Sequence, residues 1–390
     1  MSASSSADWP YATRQTGIAS AWQVEVFTDP AVLEESWLHL TLEGHAGPFQ
    51  TFGWLSAWYK AAACFNLAEP LILTGSRRTD GRPDIILPLC RHKAYGCTII
   101  SSPDLGVSDL YEPVLSKALL GDDSALETFF QQARKQLPPH DLIFISKLEA
   151  SSNGMAPSLA PSRFLVQLPY FAWSLDLCAE KEGDKLVKSK TRRSVRQKTN
   201  QMQRIATREI EIHDDLIDAD TLDIIFNMRA ERFAAINRPD GLTLPAWRHL
   251  YEEICTGQHA DLKPFSTVLL CNNEPVGAQL GIQHKGHFVG TLLSFKMGPY
   301  ERYSPGLQVV FENVRWLAQS GAWRFDLSGG DQPYKHQLGC IPRPLYEMMV
   351  PGNFKGTMVW ALWHAKNRLK SHPRLFNAIK RIRDLAVPRH

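Results

Sequence analysis

The residues Tyr303 to Gln308, with the sequence YSPGLQ, lie where an apolar strand-like run gives way to a helical pattern. Gly306 allows backbone to approach a ligand closely, and the first turn of a helix offers backbone amides without intrahelical partners. Such amides suit an anion, so we interpret the loop as a cradle for a pyrophosphate. An ordinary loop with one glycine before a helix has the same pattern and remains the alternative.

The elements that would position this loop can be identified between Cys271 and Ser328. Turn signals at 272–275 and 285–286 separate short apolar runs, which predicts an antiparallel meander. A strand is predicted from Trp323 to Ser328, where apolar and polar residues alternate. A helix is predicted between them, because one stripe holds Leu307, Val310, Phe311, Val314, Leu317 and Ala318. A right-handed crossover of this kind puts the loop at the carboxyl end of the first strand, where open sheets bind ligands.

Composition bounds the class of protein. The 390 residues suffice for two domains, and 44% apolar with 21% charged residues are globular values. The sequence has no apolar run of the length that spans a membrane, and residues 1–20 lack the apolar core of a secretory signal. Seven cysteines without a CxxC pair favour reduced thiols in a cytoplasmic protein.

The order of elements occurs twice. Patterns from Gln23 to Lys147 give β-α-α-β-β-β-loop-α-β, and residues from Glu209 to Ser328 repeat it, with Trp54 and Trp247 at matching places. The repeat predicts a mixed α/β fold of two similar domains with mixed sheets. The predicted segments are a disordered leader (1–20), an N-terminal domain (21–150), a linker with connecting strands (151–187), a C-terminal domain (188–352) and a basic amphipathic helical tail (353–390).

Short motifs along residues 45–340 carry a family resemblance. They are GPFQT at 47–51 with Trp54 and Trp58, ILPL at 86–89, DLYEP at 109–113, KTRRSVR at 190–196, YSPG at 303–306, and FDLSGG at 325–330 with Tyr334 and Lys335. The second unit resembles the Gcn5-related N-acetyltransferase (GNAT) fold. The doubled arrangement resembles the Fem-type aminoacyl transferases and, more closely, the BioF2-like acetyltransferases associated with exopolysaccharide or cellulose synthesis.

This resemblance implies an acyl-CoA site in the second domain. The usual phosphate-loop signature of the family has two glycines, whereas the matching residues Arg302 to Leu307 contain one. The resemblance also implies that backbone amides near Leu293–Phe295 stabilise the oxyanion, because such folds often splay a strand there. The expected donor-binding residues are Leu293, Ser294, Phe295, Arg302, Ser304, Pro305, Gly306, Leu307 and Gln308.

Acyl transfer also needs a base and a proton source. Asp109 is the candidate base, because its loop matches the phosphate loop of the second domain and because Fem-type enzymes have an Asp in a comparable loop. A turn-capping role is the alternative. Tyr303 would protonate the leaving thiolate, or it packs its ring in the ordinary way. Lys335 would neutralise a phosphate or polarise a carbonyl, or it is a solvated lysine.

The expected substrate-binding residues include a basic cluster. Residues 188–204 contain seven Lys/Arg and no acid, and their arginines suit phosphate groups of a sugar nucleotide, CoA or tRNA. A solvated helix face is the alternative for the cluster, and a half-buried strand is the alternative for Asp326. The residues assigned are Tyr111, Arg192, Arg193, Arg196, Asp326 and Tyr334.

The tail is a second basic segment. Residues 353–390 contain nine Lys/Arg and one acid, Asp384, among regularly spaced apolar residues. This pattern predicts either peripheral contact with an anionic membrane surface or packing on the tail's own domain with the cations in water. Neither basic segment has a nucleic-acid reading motif, so nucleic acid is not the expected partner.

The sequence therefore predicts an N- or O-acetyltransferase that uses acyl-CoA. The acceptor would be an amine or hydroxyl of a small molecule or sugar, such as an envelope-polysaccharide precursor, and the protein would lie in the cytoplasm or on the inner face of the membrane. No histidine spacing such as HExxH occurs, so no metal is expected. The alternatives are a Fem-like transferase that uses aminoacyl-tRNA and a non-catalytic, membrane-associated adaptor of polysaccharide synthesis.

Overall fold

The first half of the chain folds in the predicted order. A computed structural model of the protein describes residues 22–77, 80–150, 159–178 and 183–370, with side chains described as far as 365. The elements of the first half are β1 (Gln23–Phe27), α1 (Glu34–Glu43), α2 (Phe52–Cys64), β2 (Glu69–Ser76), β3 (Ile85–Ala94), β4 (Cys97–Ser101), β5 (Val114–Leu115), α3 (Asp123–Ala133), β6 (Leu142–Glu149) and β7 (Leu165–Asp176).

The second half repeats this order and adds helices at both ends. Its elements are α4 (Gly183–Leu186), α5 (Ser189–Gln203), β8 (Arg208–His213), α6 (Ala219–Ala235), α7 (Pro245–Thr256), β9 (Lys263–Cys271), β10 (Glu274–His284), β11 (His287–Phe295), α8 (Pro305–Gln319), β12 (Arg324–Gly329), α9 (Pro333–Leu338), β13 (Ile341–Pro351) and α10 (Phe354–Lys370). The mixed α/β class, the meander β9–β10–β11 and the repeat are thereby confirmed. The predicted leader and residues 371–390 of the tail lie outside the described residues.

The described strands form one continuous sheet rather than two separate ones. Its order is β1-β2-β3-β4-β6-β13-β7-β12-β11-β10-β9-β8, with β5 beside β3. β7 pairs antiparallel with β12 of the second half, whereas β13, the last strand in sequence, pairs antiparallel with β6 of the first half. The two halves therefore exchange strands at their junction. The boundaries 21–150 and 188–352 remain predictions, and sheet pairing crosses both of them.

Equivalent helices of the two halves pack against each other. The rings of Trp58 on α2 and Trp247 on α7 are stacked with centroids 6.3 Å apart, and Trp54 meets Tyr251 edge-on at 6.0 Å. All four side chains are buried. These large apolar contacts hold the α2–α7 interface, and aromatic pairs of this geometry add about 0.5–1.5 kcal/mol each to the burial of area.

A buried carboxylate joins the halves next to those rings. Asp261 of the second half accepts hydrogen bonds from the backbone amides of Phe52 (2.7 Å) and Gly53 (3.1 Å), and from the hydroxyl of Thr41 (2.9 Å). The two amides open helix α2, where intrahelical partners are lacking. Asp261 therefore caps a helix of the other half, which fixes the relative position of the two repeats.

Two general features complete the fold. All seven cysteines lie in the described ranges and are free thiols. Among the helices of the described residues, none combines the length and the hydropathy that crossing a membrane requires.

Candidate active site between the two repeats

The sheet opens between β11 and β12. These parallel strands pair only from His287–Arg324 to Val289–Asp326, and the rest of β11, as far as Phe295, leaves its neighbour. The amide of Lys296 donates to the carbonyl of Val276 on the other side, at 3.0 Å. In an antiparallel pair, the backbone amides of every second residue point to the same neighbouring strand. Since the Lys296 amide points to Val276, the amides of Leu293 and Phe295 point to the other side, into the gap. The structure thus has an open strand edge at the predicted place.

The equivalent opening in the first half is filled. β4 and β6 pair over only three residues, from Ile99–Leu142 to Ser101–Phe144. Beyond them the loop that follows β4 runs along β6: the amide of Tyr111 donates to the carbonyl of Lys147 at 2.9 Å, and the amide of Glu149 donates to the carbonyl of Tyr111 at 3.3 Å. In the described residues, a gap remains only in the second half, where the sequence predicts the acyl donor.

The filling loop is fixed by the GPFQT motif and its two tryptophans. The side-chain Nε2 of Gln50 donates to the carbonyl of Leu110 at 3.1 Å, and the indoles of Trp54 and Trp58 donate to the Ser108 hydroxyl (3.1 Å) and the Asp104 carbonyl (3.3 Å). Tyr111 is buried, and its hydroxyl donates to the carbonyl of Pro88 at 2.6 Å. Tyr111 therefore anchors the loop. These hydrogen bonds do not bear on its predicted contact with substrate, which remains a prediction.

Asp109 is a partly buried carboxylate of this anchored loop. Its side chain is 34% exposed and lies 3.8 Å from the ammonium of Lys147. Burial raises the pKa of Asp109 above the ordinary carboxyl value, while Lys147, a hydrogen bond with Ser328 and the charge of Lys335 oppose the shift. Ser328 and Lys335 belong to the second half. The loop of one repeat thus presents a partly buried carboxyl to the other repeat, next to the gap.

Two bulged strands meet at Asp109. The register shifts in β6 near Lys147 and in β12 near Ser328, and both residues have left-handed backbone, with φ of 59° and 61°. Bulges re-aim side chains and are frequent beside active sites, and left-handed backbone in residues other than glycine is a strained arrangement. The Ser328 hydroxyl donates to the carbonyl of Gly290 at 3.1 Å, at the point where β11 and β12 separate. Asp109 therefore lies at the root of the gap.

Sequence reasoning missed Lys147 and its contact with Asp104, which it makes besides the one with Asp109. The ammonium of Lys147 contacts the Asp104 carboxylate at 2.9 Å and donates to the carbonyl of Ser108 at 2.6 Å. Both partners belong to the loop that carries Asp109. Lys147 therefore fixes the loop and supplies positive charge to Asp109. A lysine at the end of an apolar strand was the available signal, but such residues are usually solvated.

Lys335 is buried and fully engaged. Its ammonium donates to the carbonyls of Ser328 (3.1 Å), Gly329 (2.8 Å) and Gly330 (3.2 Å). Burial lowers the pKa of Lys335 to about 8, against the attraction of Asp109 and Asp326. The three N–H donors of an ammonium are thus all used on the turn after β12. The structure places Lys335 beside Asp109. Its ammonium already holds the backbone there, so the predicted catalytic role would come in addition to this structural one.

Asp326 lies in a buried ion network. It pairs with Arg324, which in turn donates to Glu149 at 2.9 Å, and Arg343 also pairs with Glu149. Burial alone would raise the pKa of Asp326, but Arg324 and the nearby His287 hold it well below the ordinary range. Asp326 is fully buried, so the half-buried strand face considered for it is not what the structure shows. The network ties β12 to β6 and β13 across the junction.

The N-terminus of α8 is closely covered. The amides of Leu307 and Gln308 both donate to the carbonyl of Ser304, at 3.0 and 3.1 Å, and Pro305 has no amide hydrogen. The Cδ1 atom of Phe295 lies 3.1 Å from the position that a Cβ on Gly306 would take. The guanidinium carbon of Arg232 lies 4.3 Å from the centroid of the same ring. The Gly306 amide is the remaining donor of the predicted cradle, and the Phe295 ring lies beside the α-carbon of the same residue.

Other residues predicted around the cradle are engaged in packing. The ammonium of Lys198 donates to the Ser304 hydroxyl at 2.6 Å, and the Gln308 amide oxygen accepts from Thr199 and Arg208, both at 3.0 Å. Ser294 is fully buried. These bonds attach α5 to the loop. The predicted contacts of Ser304 and Gln308 with a donor remain predictions.

Tyr303 and Tyr334 lie in different surroundings. Tyr303 is buried in an apolar cluster with Met202 and Val276, and Arg302 lies over its ring at 4.7 Å, so its ring packs in the ordinary way. Tyr334 is half-buried on α9 beside Arg232, and burial raises its pKa. The structure therefore brings Tyr334, not Tyr303, to the side of the gap where Arg232 donates to the Leu293 carbonyl at 3.3 Å.

The basic cluster on α5 borders a cavity of about 380 Å³. Arg192 donates to the Asp184 carbonyl at 3.2 Å, and Arg196 and Arg315 pair with the Asp184 carboxylate. Arg193 is exposed beside it. Two of the three predicted arginines thus meet at one cavity, and no described contact joins them to Asp109. The cavity is lined by Gly183, Asp184, Lys185, Arg192, Arg196, Arg315 and Gln319.

In the described ranges, no group of three or more His, Cys, Asp or Glu side chains is arranged to hold a metal ion.

Comparison with known proteins agrees with this architecture. Residues 189–336 match the family model of the acetyltransferase (GNAT) domain, and no curated protein matches the sequence significantly. The solved structure of FemX is similar at 10% identity with a TM-score of 0.59, covering 87% of this chain and 99% of FemX. L-PGS from Bacillus licheniformis is similar at 14% identity with a TM-score of 0.51, covering 88% and 97%. Residues 189–336 are therefore a GNAT domain, and the chain as a whole has the fold seen in FemX and L-PGS.

Proposed function

We propose that the protein is an acyltransferase that moves an acyl group, most simply acetyl, from acyl-CoA to an amine or hydroxyl. The observation that carries the proposal is the position of Asp109 of the first repeat at the root of the gap that opens in the second repeat. A carboxyl with a raised pKa beside unpaired strand amides supplies two of the requirements of acyl transfer, a base and an oxyanion site.

The proposed reaction uses these groups in one sequence. The thioester carbonyl lies against the amides of Leu293 and Phe295, and the acceptor approaches from the side of Asp109. As the acceptor nitrogen or oxygen forms its bond to the carbonyl carbon, its proton passes to the Asp109 carboxylate. The developing oxyanion is held by the strand amides, the carbon–sulfur bond breaks, and CoA leaves as a thiolate that takes up a proton. Lys147 keeps Asp109 in place and ionised.

The acceptor in this proposal lies between the repeats. Asp109, Tyr170 and the end of β12 border that region, because the Tyr170 ring lies 3.2 Å from where a side chain of Gly329 would begin. Burial raises the pKa of the Tyr170 hydroxyl, and the charge of Lys147 opposes this shift. Polar groups from both halves suit a hydroxylated or amino-bearing molecule, such as a sugar or a precursor of an envelope polysaccharide. A cytoplasmic location, where acyl-CoA is available, belongs to the same proposal.

Calorimetry with acetyl-CoA tests the donor, and chromatographic detection of released CoA tests turnover. Chromatography avoids thiol reagents, which would react with the exposed Cys64 and Cys178. With glucosamine as a trial acceptor, Asp109→Asn should lower turnover at least tenfold, about 1.4 kcal/mol in the barrier, and leave the Kd for acetyl-CoA unchanged. Asp29→Asn, which alters a surface helix cap, is the matched control. Folded protein that binds no acetyl-CoA would remove the proposal.

A Fem-like transferase that uses aminoacyl-tRNA is the second candidate. The basic cavity at Lys185, Arg192, Arg196 and Arg315 favours it, because phosphate-rich ligands are bound by such clusters. Binding of tRNA by an enzyme of this second kind would weaken steeply as salt rises. An enzyme of the first kind would bind acetyl-CoA without any RNA. Folded protein that binds neither donor would leave a non-catalytic adaptor of polysaccharide synthesis.

A further inference from the structure

Helix α10 packs on the first half through one side only. The backbone of Asp141 lies against Gly356, where a side chain would not fit, and Trp360 meets Phe164 edge-on with ring centroids 6.1 Å apart. Gly356 and Trp360 are four residues apart, so they share one side of the helix. The first part of the tail therefore packs on the first half, and the two sequence alternatives for the tail remain predictions.

The opposite side of α10 carries large apolar side chains in water. Phe354, Met358 and Leu362 are 80%, 56% and 70% exposed. Their spacing of four residues puts them on a single stripe, on the side of the helix away from Gly356 and Trp360. An isolated exposed apolar residue needs no explanation, but three in line on one helix do.

A second exposed element is bonded to the first turn of this helix. Tyr95, at the tip of the hairpin between β3 and β4, is fully exposed, with left-handed backbone at φ 51°. The ammonium of Lys355 donates to the carbonyl of the next residue, Gly96, which joins the hairpin tip to the first turn of α10. Residues far apart in sequence thus form one exposed surface, here called the docking face: Tyr95, Phe354, Met358 and Leu362.

Two exposed cations belong to the elements of the docking face. Lys93 lies on the hairpin strand, and Lys355 lies on the first turn of α10, where its ammonium also pairs with the Asp141 carboxylate at 3.3 Å. In the sequence, the segment from 353 to 390 contains nine Lys/Arg against the single acid Asp384. Apolar and aromatic side chains flanked by cations are the combination that suits a bilayer surface with anionic headgroups.

We propose that the docking face places the protein on an anionic membrane surface, with Phe354, Met358, Leu362 and Tyr95 entering the headgroup region. This inference is independent of the proposed acyl transfer, because none of its residues belongs to the site at Asp109. It assigns a binding role to the β3–β4 hairpin, which the sequence pattern of the tail does not indicate.

Flotation of the full-length protein with lipid vesicles tests the proposal. Vesicles of phosphatidylcholine with a third of phosphatidylglycerol should carry the protein upward, whereas pure phosphatidylcholine should not, and high salt should release it. Leu362→Glu should reduce the floated fraction at least about fivefold, because it places a charge where an apolar side chain enters the lipid. Tyr95→Asn, which tolerates left-handed backbone, should reduce it as well.

The matched control is Ile205→Glu, which charges an equally large apolar residue, 53% exposed, in the second half. It should float like the unaltered protein, and all variants should keep the same thermal unfolding curve. Absence of flotation on anionic vesicles, or equal flotation of Leu362→Glu, overturns the proposal. Light scattering that shows a dimer broken by Leu362→Glu overturns it too, since a second copy would then cover the face.

Discussion

Phe295 packs beside Gly306 in the proposed donor corner, so we expect its removal to strengthen donor binding. In the structure its ring lies beside Gly306 and under the guanidinium of Arg232, 4.3 Å from the ring centroid. A diphosphate that reaches the Gly306 amide has to displace the ring and break that contact. Phe295→Ala removes the ring and keeps the backbone amide that faces the gap.

The size of the effect follows from the contact that is lost. A partly exposed cation–π pair contributes about 0.5–2 kcal/mol. If the ring has to move away before the donor binds, donor binding is weakened by the same free energy, and the apparent Kd is higher by the corresponding factor. Phe295→Ala should therefore bind acetyl-CoA about 2- to 30-fold more tightly, since about 1.4 kcal/mol corresponds to tenfold.

Calorimetry with acetyl-CoA measures this change directly. Phe233→Ala is the matched control, because Arg229 lies 4.4 Å from the Phe233 ring and both belong to the same helix as Arg232. That variant loses an equivalent contact away from Gly306, and its Kd should stay unchanged. An unchanged Kd for Phe295→Ala would show that the ring does not cover the donor site. Weaker binding would show that the ring contacts the donor, and either result refutes the reasoning.

Two further predictions concern the charges described above. The proposed base Asp109 has to be deprotonated to accept a proton, so activity should fall as pH drops through its raised pKa; Lys147→Met, which removes the opposing ammonium, should move this acidic limb of kcat/KM to higher pH. An unmoved limb in the pH profile would contradict the role of Lys147. Asp261→Ala leaves three buried donors without their acceptor and should lower the free energy of unfolding by about 2–4 kcal/mol in urea titrations. The exposed cap variant Asp29→Ala should lower it by about 1 kcal/mol or less, and equal losses would contradict the capping across halves.

The repeat and most elements of the fold could be predicted because their signals are local. The stripe of α8 and the turns at 272–275 and 285–286 all act within a few residues. Strand exchange has no such signal, since the pairing of β13 with β6 depends on which edge is free after the rest has folded. The sequence therefore indicates which strands exist and leaves the partners of the last one open.

The site was predicted unevenly for the same reason. The position of Asp109 followed from the repeat, and the structure brings it beside Lys335 and Ser328. The ring beside Gly306 did not follow, because Phe295 comes from a neighbouring strand. Arg324 and Asp326 alternate as in a half-buried strand, but their pairing with Glu149 allows both to be buried. The bulge at Lys147 depends on a register shift that residue types do not reveal.

The strand exchange also has a consequence for biosynthesis. Arg343 on β13 and its partner Glu149 beside β6 are 194 residues apart. The first repeat therefore leaves the ribosome with an unpaired sheet edge at β6, which stays open until nearly the whole chain has been translated. During that interval the edge is a template for intermolecular pairing, so nascent chains need protection by chaperones or rapid elongation. A first repeat expressed on its own should aggregate, and recovery on co-expression of the second repeat would identify the missing strand as the cause.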